Sequence, residues 1–387
     1  MANSQQNPEI AMQKRAPLFH IAKRATMPWY QAWAVRAIAI FAAFLFIGIV
    51  SLAILKENPI NMIKAMFEGV FGTSDMLPKA RWKMVWQILS DTAILLLIAL
   101  ALTPAFKMKF WNIGAEGQVL IGALCSALCM FYIPVAKPHI PNWALILIML
   151  AAGVLGGILW ATGSAVCKAI WRTNETLFTL MMNYVATCIV LSFLAVMKGA
   201  NSALGMINRK TKLGWLPEIG EGAGKKDILI ILVVAVVTCF VFVYMRYSKH
   251  GYEISVVGES ENTARYIGIN VKKVIIRTMI LSGALCGLTG FLLVSGSAHT
   301  LSETMVGGKG FTAIMVAWLA KFNPIFMFFA SFLICFLQKG AGNISDKYPQ
   351  INASWGDIIV GIILFFIIGC EFFINYQICF SKRQRED

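Results

Sequence analysis

The sequence predicts an all-α integral membrane protein of about ten transmembrane helices, on three observations. The first is composition. Of 387 residues, 58% are hydrophobic and only 14% charged, where a soluble domain carries about a quarter charged residues. A single globular core stops growing near this length, so the apolar surplus must face lipid. The second is run length: apolar stretches of roughly 20 residues recur, enough to cross a ~30 Å hydrocarbon core. The third is periodicity. The short alternating segments of a barrel are missing, and in lipid a helix alone satisfies its backbone within one segment.

Residues 1–32 form a basic cytoplasmic tail (Lys14, Arg15, Lys23, Arg24) before the first apolar run. That run is too long for a signal-peptide core, and no small-residue cleavage site follows it. Spans are expected at 33–55, 86–106, 112–133, 143–167, 175–197, 227–246, 274–296, 304–320, 323–339 and 356–378, so the membrane domain covers 33–378. Glycine or charge interrupts the second, third and eighth. Residues 379–387 are a second basic cytoplasmic tail, with Lys382, Arg383 and Arg385. Basic tails at both ends place both termini inside a plasma membrane crossed many times, which an even number of spans satisfies. Residues 198–226 are then an outer loop and 247–273 a cytoplasmic segment. Gly283, Gly287 and Gly290 predict a close helix–helix contact of the small-xxx-small type.

The net charge of +15 sits in tails and loops, where it anchors helices at anionic lipid headgroups. No Arg-rich array with interleaved aromatics points to nucleic acid. The nine cysteines lie in or at the ends of apolar segments and imply no disulfide framework and no metal site. The four histidines are scattered, and Gly220–Asp227 (GEGAGKKD) lacks the spacing and hydroxyl of a phosphate loop. The chain is therefore expected to be non-catalytic and to bind no cofactor.

Three stretches carry polar groups where lipid would exclude them. Residues 110–124 (FWNIGAEGQVLIGAL) put Asn112, Glu116 and Gln118 at the start of an apolar span, with Gly114 and Gly117 between them. An ionisable group at membrane depth costs at least ~2.5 kcal/mol and normally faces a cavity or a partner. Two readings stand side by side: a broken helix lining a pathway, and a cap at the membrane interface. Residues 306–312 (VGGKGFT), with Phe311 and Thr312, are a second glycine-rich break. Span two runs inward and span seven outward, so the two halves are inverted. In residues 174–186, Glu175, Thr179 and Asn183 recur at i, i+4 and i+8 on one helix face. This stripe can line a pathway or join helices. In the cytoplasmic segment, 259–267 has a helical pattern bounded by Gly258 and Gly268, fitting a surface helix.

At these residues the sequence resembles the permease subunits of bacterial ABC importers for nucleosides and simple sugars, in the ribose and branched-chain amino acid permease group. NIGAEGQ (112–118), NETLFTLMMNY (174–184), GESENTARYIGINVKKV (258–274) and GKGFTAIMVAWLAKFNP (308–324) carry the resemblance, in the family's order. It implies a type II-like fold of about ten helices, in which a second permease subunit, the same or homologous, completes the pathway. Two cytoplasmic ATPases, which use ATP and magnesium, and an extracytoplasmic substrate-binding lipoprotein are the other partners. Residues 258–268 match the family's coupling helix, with Gly258, Glu259, Asn262, Ala264, Arg265 and Gly268 as contact residues. An ion-coupled secondary transporter of a small polar solute is the alternative; it needs no ATPase docking surface.

Overall fold

The computed structural model describes residues 19–23, 27–55, 59–73, 75–198, 204–219, 226–348 and 354–380. In chain order the elements are β1 (Phe19–Lys23), α1 (Trp29–Leu55), α2 (Pro59–Phe71), α3 (Pro78–Lys107), α4 (Ala115–Ala136), α5 (Asn142–Trp171), α6 (Glu175–Lys198), α7 (Ile228–Tyr247), α8 (Lys249–Glu259), α9 (Glu261–Tyr266), α10 (Val271–Leu292) with a π-helical turn (Leu293–Ala298), α11 (Lys309–Leu319), α12 (Pro324–Lys347), α13 (Ser354–Asn375) and β2 (Tyr376–Phe380). Among the described residues seven helices are long and apolar enough to span a membrane: α3, α4, α5, α6, α7, α10 with its π-turn, and α12. The chain forms two compact units, one of residues 1–63 and 349–387, the other of 64–348.

In the first unit α1 packs along α13, with the Phe46 and Phe366 rings 6.0 Å apart. β1 and β2 pair antiparallel, from Phe19 opposite Phe380 to Lys23 opposite Tyr376. The sequence leads one to expect helix to 378, but the chain turns extended at Tyr376. Tyr-Gln-Ile-Cys-Phe is rich in aromatic and β-branched residues, which suit a strand. Of the predicted basic tails, Lys14, Arg15, Arg24, Lys382, Arg383 and Arg385 lie outside the described residues.

In the second unit α3 and α10 are the central helices, 72% and 78% buried along their apolar windows, against 17% for α7. The glycines of α10 explain how a helix becomes so enclosed. Gly283 and Gly287 face Gly153 and Gly157 of α5 backbone to backbone, and Gly122 of α4 meets Gly287 from the other side. A Cβ on Gly122 would stand 2.6 Å from Gly287 Cα and 3.1 Å from the Gly153 carbonyl oxygen. Three helices thus cross where none carries a side chain, as membrane packing favours.

Two expectations are corrected here. The predicted eighth span, 304–320, is only the eleven-residue α11. At 1.5 Å per residue it covers about half of a ~30 Å core. Left-handed Gly307 (φ 61°) and Gly308 (φ 74°) stop a helix from starting earlier. Around the predicted surface helix, the break is at Ser260 rather than Gly258. Ser260 Oγ accepts from Thr263 N (3.3 Å) and so caps α9, while Gly258 lies inside α8 with its Cα against the Lys107 carbonyl. Gly268 (φ 85°) closes the segment as expected from the sequence.

Of the predicted outer loop 198–226, residues 199–203 and 220–225 lie outside the described residues. Residues 204–219 are firmly seated. Leu216 N donates to Ser295 O (2.9 Å) in the π-turn and Ile207 N to His299 O (2.8 Å). Asn208 Nδ2 donates to Met130 O (2.8 Å), Gly214 N to Asn142 Oδ1 (2.7 Å), and the Trp215 ring stacks on His299 at 3.8 Å.

Candidate functional site

The chain between α3 and α4 is exposed at Lys109 and Trp111 but buried at Met108, Phe110, Asn112 and Gly114, so its inner backbone groups need partners within the protein. Its sequence supplies the partners. Asn112, fully buried, receives Gly114 N (3.1 Å) and Gln118 Nε2 (3.1 Å) on Oδ1 and donates through Nδ2 to Ser282 Oγ of α10 (3.2 Å). From α6, Thr179 Oγ1 accepts Ile113 N (3.2 Å), while Asn183 accepts Gly117 N (2.9 Å) and donates to Ile113 O (3.0 Å). Glycines suit these approaches: a Cβ on Gly117 would lie 2.9 Å from Asn183 Oδ1, and one on Gly114 would be tight at 3.1 Å from Thr179 Cβ. A buried polar group left unpaired costs about 1–3 kcal/mol, so this junction holds only as a completed set. Gln118 Oε1 is the exception, buried without a protein partner.

Glu116 reaches elsewhere. Its Oε1 accepts Gly308 N (2.9 Å) and its Oε2 accepts Gly310 N (2.7 Å), at the first turn of α11. A carboxylate is the natural ligand of a helix N-terminus, where free N–H groups and the helix dipole both favour negative charge. Thr312 Oγ1 bonds back to Gly308 O (3.2 Å), and Phe311 is exposed. At the far end of α11, Trp318 stacks on Trp111 (5.5 Å) beside Phe106, and Lys321 and Phe322 take left-handed φ of 49° and 61°. Glu175, on the same face of α6 as Thr179 and Asn183, stands apart from the junction; its Oε2 pairs with Lys168 Nζ of α5 at 2.6 Å.

The structure therefore brings Asn112, Gln118, Thr179 and Asn183 into one network, joins Glu116 to the turn before Phe311 and Thr312, and leaves Glu175 outside. Ser282 and the Gly308 and Gly310 amides were missed. A serine in an apolar helix and a backbone N–H nearly two hundred residues away carry no local signal. The Gly307–Gly308 pair before Lys309, within the glycine-rich break at 306–312, is the hint the sequence offers.

A second site is the α8–α9 segment. Ile254 and Val257 of α8 and Ala264 of α9 bury themselves with Ala105, Met108, Ala161, Ala165 and Met279, at the ends of α3, α5 and α10. His250, at the α7–α8 corner, bonds Tyr244 Oη (2.7 Å) and Thr278 Oγ1 (3.4 Å), and burial holds its imidazole below the usual pKa. The opposite side is open. Glu259, Asn262 and Arg265 are exposed, and Arg265 pairs with Glu261 at 3.1 Å. Tyr266 is 93% exposed with Ile267 beside it, an anchor-like pair that the sequence reading missed. A hollow of about 800 Å³ next to it is lined by Lys168, Arg172, Arg265 and Lys272.

Comparison with known proteins agrees with this architecture. The family described as branched-chain amino acid transport system / permease component matches residues 84–368. The glucose ABC transporter permease protein TsgB13 of Haloferax volcanii is 28% identical, over 93% of this chain and 94% of its own. The nucleoside ABC transporter permease protein NupB of Lactococcus lactis is 27% identical over 85% of this chain and 89% of its own. The guanosine ABC transporter permease protein NupP of Bacillus subtilis is likewise 27% identical, over 78% and 84%. With an all-α set of membrane-length helices, a buried polar junction between α3 and α4 and a family match over most of its length, the chain belongs to the branched-chain amino acid transport system permease family, as a multi-pass, plasma-membrane permease subunit of an ABC importer.

Proposed function

We propose that this permease moves a nucleoside or a simple sugar, released to it by an extracytoplasmic binding lipoprotein, through a pathway completed by a second permease subunit. Cytoplasmic ATPases bind ATP and magnesium and do the hydrolysis; this chain contributes no nucleotide site. The observation that carries the reading is the α8–α9 segment, apolar where it meets α3, α5 and α10 and open at Tyr266, Ile267 and Arg265. Such a segment passes the movement of a docked partner straight into the two most buried helices of the unit, as a rigid body. Gly258, Glu259, Asn262, Ala264, Arg265 and Gly268 form or shape that surface.

The pathway runs beside the polar junction. Asn112, Glu116, Gln118, Thr179 and Asn183 shape its wall, Phe311 and Thr312 open it, and Glu175 marks its cytoplasmic end. Relatives named for glucose, nucleoside and guanosine transport support a solute with hydroxyl groups and a flat or stackable face. The test is uptake of labelled nucleosides, pentoses and glucose by proteoliposomes holding the whole set of subunits. Saturable uptake of one class, competed by its own members, is expected. A complex that hydrolyses ATP in response to its loaded binding protein yet carries neither class would overturn the substrate assignment.

A further inference from the structure

α11 is a half-length helix. Its last turn and Phe322, three residues beyond it, pack on Phe106, next to the end of α3, with ring centroids 6.1 Å (Trp318) and 6.5 Å (Phe322) away. Eleven residues at 1.5 Å each then place its first turn about 16 Å from that end, close to mid-membrane. Among the described residues, the acidic side chain that bonds to backbone there is Glu116, from α4, spanning Gly308 N and Gly310 N. Gly310 must remain glycine for this approach, since a Cβ would stand 2.5 Å from Glu116 N. The same turn carries Lys309, whose Nζ lies 3.5 Å from Asp91 Oδ1, with the two side chains 22% and 48% exposed. Charged groups open to this degree along a membrane helix do not face lipid; they border a polar space or another subunit. Phe311, 41% exposed, stands in that first turn.

We propose that Glu116 is a positioning residue, which fixes the first turn of α11 at mid-depth so that Phe311 presents its ring to the transported molecule. This rests on the reading of the chain as a permease for a nucleoside or sugar, and it deepens it. An aromatic face stacks on a nucleobase or on the apolar face of a sugar ring. Glu116 itself is turned to the α11 backbone by two charge-assisted hydrogen bonds, so it acts on the solute only through α11. Glu116→Gln removes the charge and sets an amide NH₂ where an N–H already donates, so at least one of the two bonds is lost.

Two measurements test this, and the first needs no transport. In hydrogen exchange of the purified permease, the amides of 308–312 should exchange roughly tenfold to a hundredfold faster in Glu116→Gln, the factor set by losing a hydrogen bond to a charged group. Amides of 316–319 should be unchanged. The second is uptake by the reconstituted complex, whose wild-type activity must be seen first. If the wild type shows none, the permease reading fails, while the exchange result still stands or falls by itself. Phe311→Ala, on an exposed side chain, leaves the fold alone and should raise the half-saturation concentration for the solute about tenfold, with the maximal rate little changed. Glu116→Gln should do the same, and the double variant should be no worse than the weaker single one. Unaltered exchange at 308–312, normal uptake by Phe311→Ala, or multiplied effects in the double variant would each overturn the proposal. If Glu116→Gln fails to assemble, Phe311→Ala alone decides.

Discussion

Replacing Gly122 by alanine puts one methyl group where α4, α5 and α10 cross. Its Cβ would sit 2.6 Å from Gly287 Cα, 3.0 Å from Gly287 O and 3.1 Å from Gly153 O, all backbone of other helices. Ordinary contact begins near 3.4 Å, so the helices must part by roughly 1 Å along a seam with no flexible side chain to yield. Overpacking of this kind costs about 1–3 kcal/mol, partly offset by the ~0.5–1 kcal/mol that alanine gains over glycine within a helix. The net loss of about 1–2 kcal/mol lowers Tm by a few degrees in a chain of this size. The assay is thermal unfolding in nanodiscs, with a thiol-reactive dye reporting exposure of Cys286, which is fully buried next to the seam, in a background where the other eight cysteines are replaced by alanine. Gly163→Ala on α5 is the matched control: a Cβ there has nothing within 4 Å, so this variant should be neutral or slightly more stable. Equal Tm values for Gly122→Ala and wild type would refute the claim that this seam is a tight backbone contact.

Other perturbations read the remaining parts of the structure. Asn183→Ala strands Gly117 N–H and Ile113 C=O inside the junction and should cost about 1–3 kcal/mol per group in the same unfolding assay. Tyr266→Ala should leave permease stability unchanged but weaken ATPase binding to the nanodisc-held permease by about 2 kcal/mol, roughly thirtyfold in Kd. Arg265→Glu, which also sets two acidic residues four apart on α9, should lower substrate-coupled ATP hydrolysis more than binding-protein association. His250 has a folded-state pKa below its usual 6.5, chiefly through burial. Its contribution is therefore complete above about pH 6.5 and fades as pH falls through the lowered value. The pH dependence of unfolding between pH 7 and 5 should flatten in His250→Gln.

The spans were legible because lipid imposes one rule on every segment, and hydropathy reports it. α5 and α7 fall within a few residues of their expected limits for that reason. Residues 304–320 misled because composition cannot distinguish a helix that crosses from one that stops halfway; only the left-handed Gly307 and Gly308 show where it begins. The α10 glycines announced a close contact, yet their partners Gly153, Gly157 and Gly122 lie in stretches where glycine is unremarkable by itself. At the polar junction the sequence supplied the side chains and the structure supplied their acceptors. The i, i+4, i+8 stripe on α6 divides, Thr179 and Asn183 turning to the 113–117 backbone while Glu175 pairs with Lys168. A stripe marks a shared helix face, and which neighbour each residue meets depends on how far along the helix that neighbour reaches. Ser260 took the break expected at Gly258 because its hydroxyl caps α9, whereas Gly258 is needed for close approach to Lys107.

The central claim is that this chain transports by coupling to a separate ATPase. The most direct test is labelled-solute transport in proteoliposomes with and without an imposed proton or sodium gradient, comparing the permease alone with the permease plus its ATPase and binding protein. Transport should require ATP and both partners, and should be indifferent to ionophores. Accumulation by this chain alone, driven by a proton or sodium gradient and abolished by an ionophore, would contradict the account.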